Sequence, residues 1–417
     1  MHWLNRVAVL LVLYAVPGAC LVQADDPPAF EAPLIKAGVT PSFIYNGVAA
    51  ADLAGGVKRG GAFENNLHVQ LALDGAKLAG LTGVTGWLDA LWIFGSQPNL
   101  LAGAAQGVSN ISAAPALRLY EAWLQYNTPQ NRFSILAGRY DLNAEFYNLR
   151  SAALFLNSSF GIGADFGVSG IAGPSNFPNT SLAVRFAYKP IPNGVLQFAV
   201  LDGAPVNAQL GSSGPFNPHN GLLLVAEADY MTPSSDQFLI GRQPNQPSYD
   251  DKVAVGAWYY TASFADLGSI SPSGAPVFRQ GEAGAYLLLD QLLFKSQSDP
   301  NQRVTGFVQL GAADQRVDRF GTYIGAGLTV ASPLQSRPDD QLGVAMAMDR
   351  NGSHYLEGQQ RAGLPVTAAE TVIEMSYLAQ VASWLSMQPD LQYMIHPNTD
   401  PRLRDALVAQ LQIQIKF

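Results

Sequence analysis

The sequence predicts an all-β fold: a transmembrane antiparallel β-barrel of about sixteen strands with one inward-folded loop. Three observations carry that reading. The chain opens on an export signal, its body alternates apolar and polar residues in segments of about ten, and it is poor in charge. Charged residues make up 13% of the 417, roughly half the ~25% of ordinary soluble domains, while apolar residues stay at 48%.

The signal comes first. Arg6 supplies a positive start, Val7 to Val16 is uninterruptedly apolar, and Pro17 and Gly18 break the run. Val22-Gln23-Ala24 then offers small residues for cleavage ahead of Asp25-Asp26. Residues 1–24 are therefore expected to be a signal peptide, and 25–417 the barrel. The run is short for a retained anchor, which needs about 20 apolar residues. A lipidated Cys20 is the other alternative. It would want an aliphatic residue three positions earlier, where Pro17 stands.

The alternation is clearest at the C-terminus. Leu407, Ala409, Leu411, Ile413, Ile415 and Phe417 share one parity; Gln410, Gln412, Gln414 and Lys416 share the other. Side chains alternate across a strand, so one face is apolar and the other polar. Leu182, Val184, Phe186 and Tyr188 oppose Arg185 and Lys189 in the same way. Alternation alone fits a soluble barrel as well. Strand length near ten, strand number and the export signal favour the membrane over a large secreted β protein.

Strands are expected to begin near residues 38, 62, 83, 116, 132, 181, 194, 221, 252, 281, 302, 323, 340, 370, 385 and 405. Connections then alternate short and long, as outer-membrane barrels require, and an even count puts both termini on the periplasmic side. Thr128 to Asn131 and Pro190 to Asn193 read as tight turns. Met231 to Asp251 is the exception, a long connection on the short side with room for an extra strand at Phe238 to Ile240.

The connection Leu142 to Thr180 is too long for a structureless link in a compact barrel. Its Phe146, Tyr147, Leu154, Phe155, Phe160 and Phe166 make full exposure costly, so it is expected to fold inward and narrow the lumen. Asn143 to Leu156 reads as a short helix within it.

Several classes are excluded or disfavoured. A formal charge of -8 argues against a nucleic-acid partner. One cysteine leaves no disulfide scaffold and no cysteine zinc site. Histidines stand at 2, 68, 219, 354 and 396, without the paired spacing of a zinc hydrolase, and no nucleophile-elbow motif occurs. The chain is read as no enzyme.

The C-terminal third resembles the carbohydrate-selective porins of the OprB family. The matching residues are Glu370-Thr371, Glu374, Tyr377, Trp384-Leu385, Gln388-Pro389-Asp390-Leu391-Gln392-Tyr393, His396-Pro397 and the terminal Phe417. Gly60-Gly61, Glu121-Ala122-Trp123-Leu124, Gly138-Arg139, Phe155 to Phe160 and Gly256-Ala257-Trp258-Tyr259 extend it upstream. Pro389 inside a strand fits that pattern, with a bulge expected there. The resemblance implies a sixteen-stranded channel in the bacterial outer membrane that passes mono- and small oligosaccharides by diffusion, with no cofactor. A general porin for other small hydrophilic solutes is the alternative. Sugars, outer-membrane lipid and lipopolysaccharide, and the insertion machinery are the expected partners. Phe417 resembles the signal that machinery reads, and both monomer and homotrimer stay open.

Strand parity adds a candidate eyelet. Glu121, Trp123 and Gln125 share a face on the fourth strand, Arg139 and Asp141 one on the fifth, and the two strands are neighbours. Glu145 and Arg150 on the long loop oppose them. Each residue has a plainer reading as well. Trp123 also suits a lipid-interface girdle, and Glu121 with Arg139 a structural ion pair in the wall.

Overall fold

The computed structural model describes residues 31–205, 220–232, 239–243, 249–299 and 301–417. The signal peptide and its cleavage point lie outside the described residues, as does Phe238. Alternation becomes sixteen strands. They are β1 (Val39–Gly56), β2 (Gly60–Asp74), β3 (Val84–Gly95) and β4 (Ala116–Asn127). Next come β5 (Phe133–Tyr140), β6 (Ser181–Ile191), β7 (Gly194–Asp202) and β8 (Leu222–Thr232). The long hairpin β9 (Asp251–Ile270) and β10 (Pro276–Lys295) follows, then β11 (Arg303–Ala313) and β12 (Phe320–Ala331). The last four are β13 (Gln341–Asn351), β14 (Ala369–Ala382), β15 (Leu385–Ile395) and β16 (Arg404–Lys416). Every strand starts within five residues of its expected position.

Each strand pairs antiparallel with its sequence neighbours, and β1 pairs with β16. The sheet is a closed barrel without an edge, the condition for burying backbone polar groups in lipid. Both termini lie at one rim. There the turns 128–132, 192–193 and 383–384 are tight, while the opposite rim carries most of the long connections.

The outward parity is apolar. Leu117, Leu124, Phe186, Phe198, Leu328, Val344, Met375 and Leu391 are all exposed. Tyr126, Phe133 and Tyr230 near strand ends and Trp384 in the turn 383–384 are exposed too at the terminus-side rim, forming part of an aromatic girdle. Pro389 points outward, keeping regular register with Leu411 rather than forming a bulge. Toward β14 the pairing lapses between Ser376–Asp390 and Ala379–Met387, where a missing donor costs least.

The lumen is partly filled. Segment 141–180 folds inward, and its Phe146, Tyr147, Phe155, Phe160 and Phe166 join one apolar cluster with Trp258, Tyr260, Tyr286, Phe307 and Tyr323 of the wall. Phe166 stacks on Trp258 with centroids 5.0 Å apart, and Tyr147 meets Tyr286 at 4.6 Å. Such pairs are worth about 0.5–1.5 kcal/mol each beyond burial. Glycine makes the room: a Cβ on Gly343 would stand 2.7 Å from Phe155. The expected helix over Asn143 to Leu156 is instead two 3₁₀ turns, Leu142–Ala144 and Ala152–Leu154, with Tyr147 between them at a φ of 54°. The wall recruits this segment's backbone groups one by one, which competes with a continuous helix.

The wall pins the loop with carboxylates. Glu374 accepts from the backbone N–H of Leu156 (2.5 Å) and Asn157 (3.1 Å). Glu227 accepts from Tyr147 N (2.8 Å), Asp290 from Ser151 N (3.2 Å) and Glu282 from Gly170 N (2.9 Å). A second connection, 96–115, also enters: Glu370 accepts from the N–H groups of Ala105 and Gln106, both at 2.9 Å. A buried N–H left without a partner costs about 1–3 kcal/mol, so these bonds hold both loops to the wall.

Candidate channel eyelet

The candidate site starts from a bulge. Asp89 pairs with Glu121 and Ala90 with Leu119, so Tyr120 is the extra residue of β4. A bulge turns consecutive residues to one side, and Tyr120 and Glu121 are both buried toward the lumen. Beyond it Trp123 and Gln125 keep the inward parity, while Leu124 and Tyr126 face lipid.

Trp123 is therefore no girdle residue. It stacks on Trp87, directly opposite in β3, with centroids 6.4 Å apart. Its Nε1 donates to Glu121 Oε1 at 3.2 Å. The same oxygen accepts from the Asp141 backbone N–H at 3.2 Å, and Tyr120 donates its hydroxyl to Asp141 Oδ2 at 2.6 Å. Glu145 accepts from Tyr140 Oη (2.6 Å) and from Arg185 Nε (2.9 Å). Arg185, fully buried, also donates to Gln125 Oε1 at 2.6 Å. Glu121, Trp123, Gln125, Asp141 and Glu145 thus lie in one hydrogen-bonded cluster.

Arg139 does not join them. It pairs with Ala122 and Leu182 on the outward parity, and it donates Nη1 to the Thr180 carbonyl at 2.6 Å. The inward face of β5 belongs to Ser134, Leu136 and Tyr140. No Glu121–Arg139 pair forms; Arg139 closes the base of the long loop instead. Arg150 also lies apart from Glu121. Its guanidinium sits 5.4 Å over the Tyr249 ring and donates to the Tyr249 carbonyl at 2.9 Å. It lines a separate cavity of about 400 Å³ with Asp290, Arg303 and Asp340.

A second cation, Arg242 of the connection after β8, meets this cluster beside Arg185. Residues 239–243 of that connection lie along β4. Residues 239–243 are not a strand there. Ile240 donates its N–H to Asn131 Oδ1 (2.8 Å), and Asn127 donates to the Ile240 carbonyl (3.2 Å). Gln125 clasps the backbone of Arg242 with both ends of its amide, at 2.7 and 3.2 Å. Gly241 lies so close to the wall, at a φ of 86°, that a Cβ would meet Ser134 Oγ at 2.5 Å. Arg242 Nη2 then stands 3.7 Å from Glu121 Oε2. Burial works against its charge, but Glu121, Glu145 and Asp141 outweigh it and hold its pKa above the ordinary value.

Arg242 lies between two chambers. Toward the long loops is a cavity of about 1010 Å³. One wall of it is Asn46, Asn66, Gln388, Gln412 and Gln414; Asp141, Asn143, Asn148 and Arg242 face them. Below, toward the termini, is a chamber of about 360 Å³ at Trp87 and Trp123. The glutamine row was visible in the alternation of β16. Arg185 was visible, with Lys189, as a charge on the polar parity of β6. Arg242 had no local signal beyond the excess length of its connection.

The comparisons agree with this architecture. The family model described as "Carbohydrate-selective porin, OprB family" matches residues 58–417. Porin B of Pseudomonas aeruginosa is 22% identical over 323 residues, covering 72% of this chain and 68% of the relative. The high-pH structure of Pseudomonas putida OprB superposes with a TM-score of 0.80 at 20% identity, over 93% of this chain and 96% of that one. The outer membrane channel DcaP of Acinetobacter baumannii gives 0.52 at 11% identity, over 92% and 98%. With the family model spanning most of the chain and a closed sixteen-stranded barrel beneath it, this chain belongs to the OprB family of carbohydrate-selective porins, channels of the bacterial outer membrane.

Proposed function

We propose that the carbohydrate selectivity of this channel resides where Glu121, Gln125, Asp141, Glu145, Arg185 and Arg242 converge, facing the amide wall of β1, β2, β15 and β16. A sugar carries many hydroxyls that each donate and accept. A lumen that favours it must replace water on those hydroxyls and still let go. The amides of Asn46, Asn66, Gln388, Gln412 and Gln414 offer donors and acceptors without charge. Arg242 and the carboxylates opposite offer one strong donor and several strong acceptors. The observation that carries the reading is the Glu121–Arg242 pair at 3.7 Å, which sets a charged donor and a charged acceptor side by side beside the amide wall.

Passage runs down a concentration gradient and breaks no covalent bond. This reading therefore needs neither cofactor nor catalytic group. The pore is enclosed by a single chain, so it does not depend on whether barrels stand alone or in threes.

The test is ion current through purified protein in a planar bilayer, with glucose and a disaccharide titrated in. Saturable, sugar-specific block supports a binding channel. Steady current without such block would leave a general porin.

A further inference from the structure

We propose that the chamber on the terminus side of Arg242 is a second sugar subsite, which holds one pyranose ring against Trp87 after it has passed the eyelet. The proposal rests on the sugar-channel reading above and adds a station to it.

The chamber has a volume of about 360 Å³, within the roughly 300–1,000 Å³ range of small-molecule sites. Its back wall is the Trp87–Trp123 pair, with rings inclined by 17°. Trp123 is buried and its Nε1 is engaged by Glu121. Trp87 is only half-buried, yet its Nε1 is shielded and has no hydrogen-bond partner among the described residues. The surface Trp87 shows to the chamber is therefore ring carbon. A pyranose has the matching shape: an axial C–H face that lies flat on an aromatic ring, and a rim of equatorial hydroxyls.

The rim has partners. Thr40 and Thr85, both exposed, and the amide of Gln243 border the same chamber. The charges nearby are compensated: Arg242 faces Glu121, and Lys77 lies 3.9 Å from Asp74. A small ion finds no unbalanced charge to dwell on, whereas a neutral ring finds one apolar wall and several hydroxyl partners. That combination assigns the chamber to a sugar rather than to a counter-ion.

The test uses the full chain in planar bilayers, with maltose added on the terminus side only and then on the opposite side only. For Trp87→Ala, the half-blocking concentration from the terminus side should rise about three- to tenfold, the scale of a lost aromatic contact. Block from the opposite side should move less. Trp87→Phe should recover most of the block, because it restores a ring without the indole N–H. Thr85→Val carries the same test if Trp87→Ala fails to assemble, with a terminus-side shift of about threefold. Wild-type block in every variant overturns the subsite and leaves the eyelet intact. A wild-type channel that conducts but is never blocked by sugar overturns the underlying sugar reading instead.

Discussion

Glu121 and Arg242 meet 3.7 Å apart although they enter the lumen from unrelated parts of the chain. Glu121 is fixed by a bulge in β4. Arg242 is carried in by a turn from the terminus-side rim and fastened through Gln125. Removing the arginine leaves Glu121, Asp141 and Glu145 with Arg185 as their remaining close cation. We expect Arg242→Ala to shift the reversal potential toward cation preference in a salt gradient. The sugar half-blocking concentration should rise about ten- to a hundredfold, the scale of one charged hydrogen bond. An unchanged reversal potential would mean that Arg242 stands outside the ion path.

Gly241 offers a second route to the same effect without touching a charge. Its φ of 86° and its approach to Ser134 and Gln125 leave no space for a side chain. Gly241→Val should push the turn off the wall and carry Arg242 with it. Its current and selectivity should resemble those of Arg242→Ala, while heat-modifiable mobility on gels shows an intact barrel. Wild-type selectivity in Gly241→Val would show that the turn holds its place by other contacts.

Much of this arrangement was legible in the sequence, and the limits are instructive. The glutamine row of β16 was plain because the two-residue period is set by the backbone. Arg139 was misplaced because its charge was taken to mark the wet face of β5. In this barrel the inward loop supplies an apolar partner, so Leu136 and Tyr140 take the inner face and Arg139 the outer. Alternation identifies two faces, but what fills the lumen decides which is which. Arg242 was invisible for another reason. The path of its turn depends on Gln125, Asn127 and Asn131, more than a hundred residues earlier.

Glu374 tests how the long loop is held. Its two oxygens accept from Leu156 N and Asn157 N, and all three groups are buried. Glu374→Leu would strand two buried N–H groups, each costing about 1–3 kcal/mol. We expect noisier single-channel current and faster proteolysis within 141–180, with strand content by circular dichroism unchanged. Quiet current in this variant would shift the anchoring role to Glu227, Asp290 and Glu282.

Asp165, on the same loop, makes the packing pH-dependent. Burial pushes its carboxyl from an ordinary 3.8 up to about 7. Gly311 leaves the space it occupies, where a Cβ would fall 2.1 Å from Oδ2. A group whose folded pKa exceeds its unfolded one binds its proton more tightly in the folded state. Its contribution is therefore complete below about pH 3.8 and is lost as pH rises through about 7. The thermal midpoint of the wild type should fall between pH 5 and pH 8, and Asp165→Asn should flatten that part of the profile. An Asp165→Asn profile parallel to the wild type would assign the pH dependence to other groups.

Phe417 belongs to the seam that closes the barrel. It exchanges two backbone hydrogen bonds with Phe43, each 3.0 Å long, and so extends the β1–β16 seam by one residue. Its side chain is 72% exposed on the outward, apolar parity of β16. Two effects follow from deleting it. The seam loses one bonded pair, worth about 1–3 kcal/mol in net terms, which a closed barrel of sixteen strands absorbs. The chain also loses an exposed aromatic end, the feature that the insertion machinery is proposed to read. The two separate by experiment. Removal of Phe417 should lower the yield of heat-modifiable barrel in outer membranes, while refolding from urea into detergent stays close to wild type. Phe417→Tyr keeps the ring and the seam and should restore the yield. Equal losses in the membrane and in detergent would make the residue a seam-closing element alone.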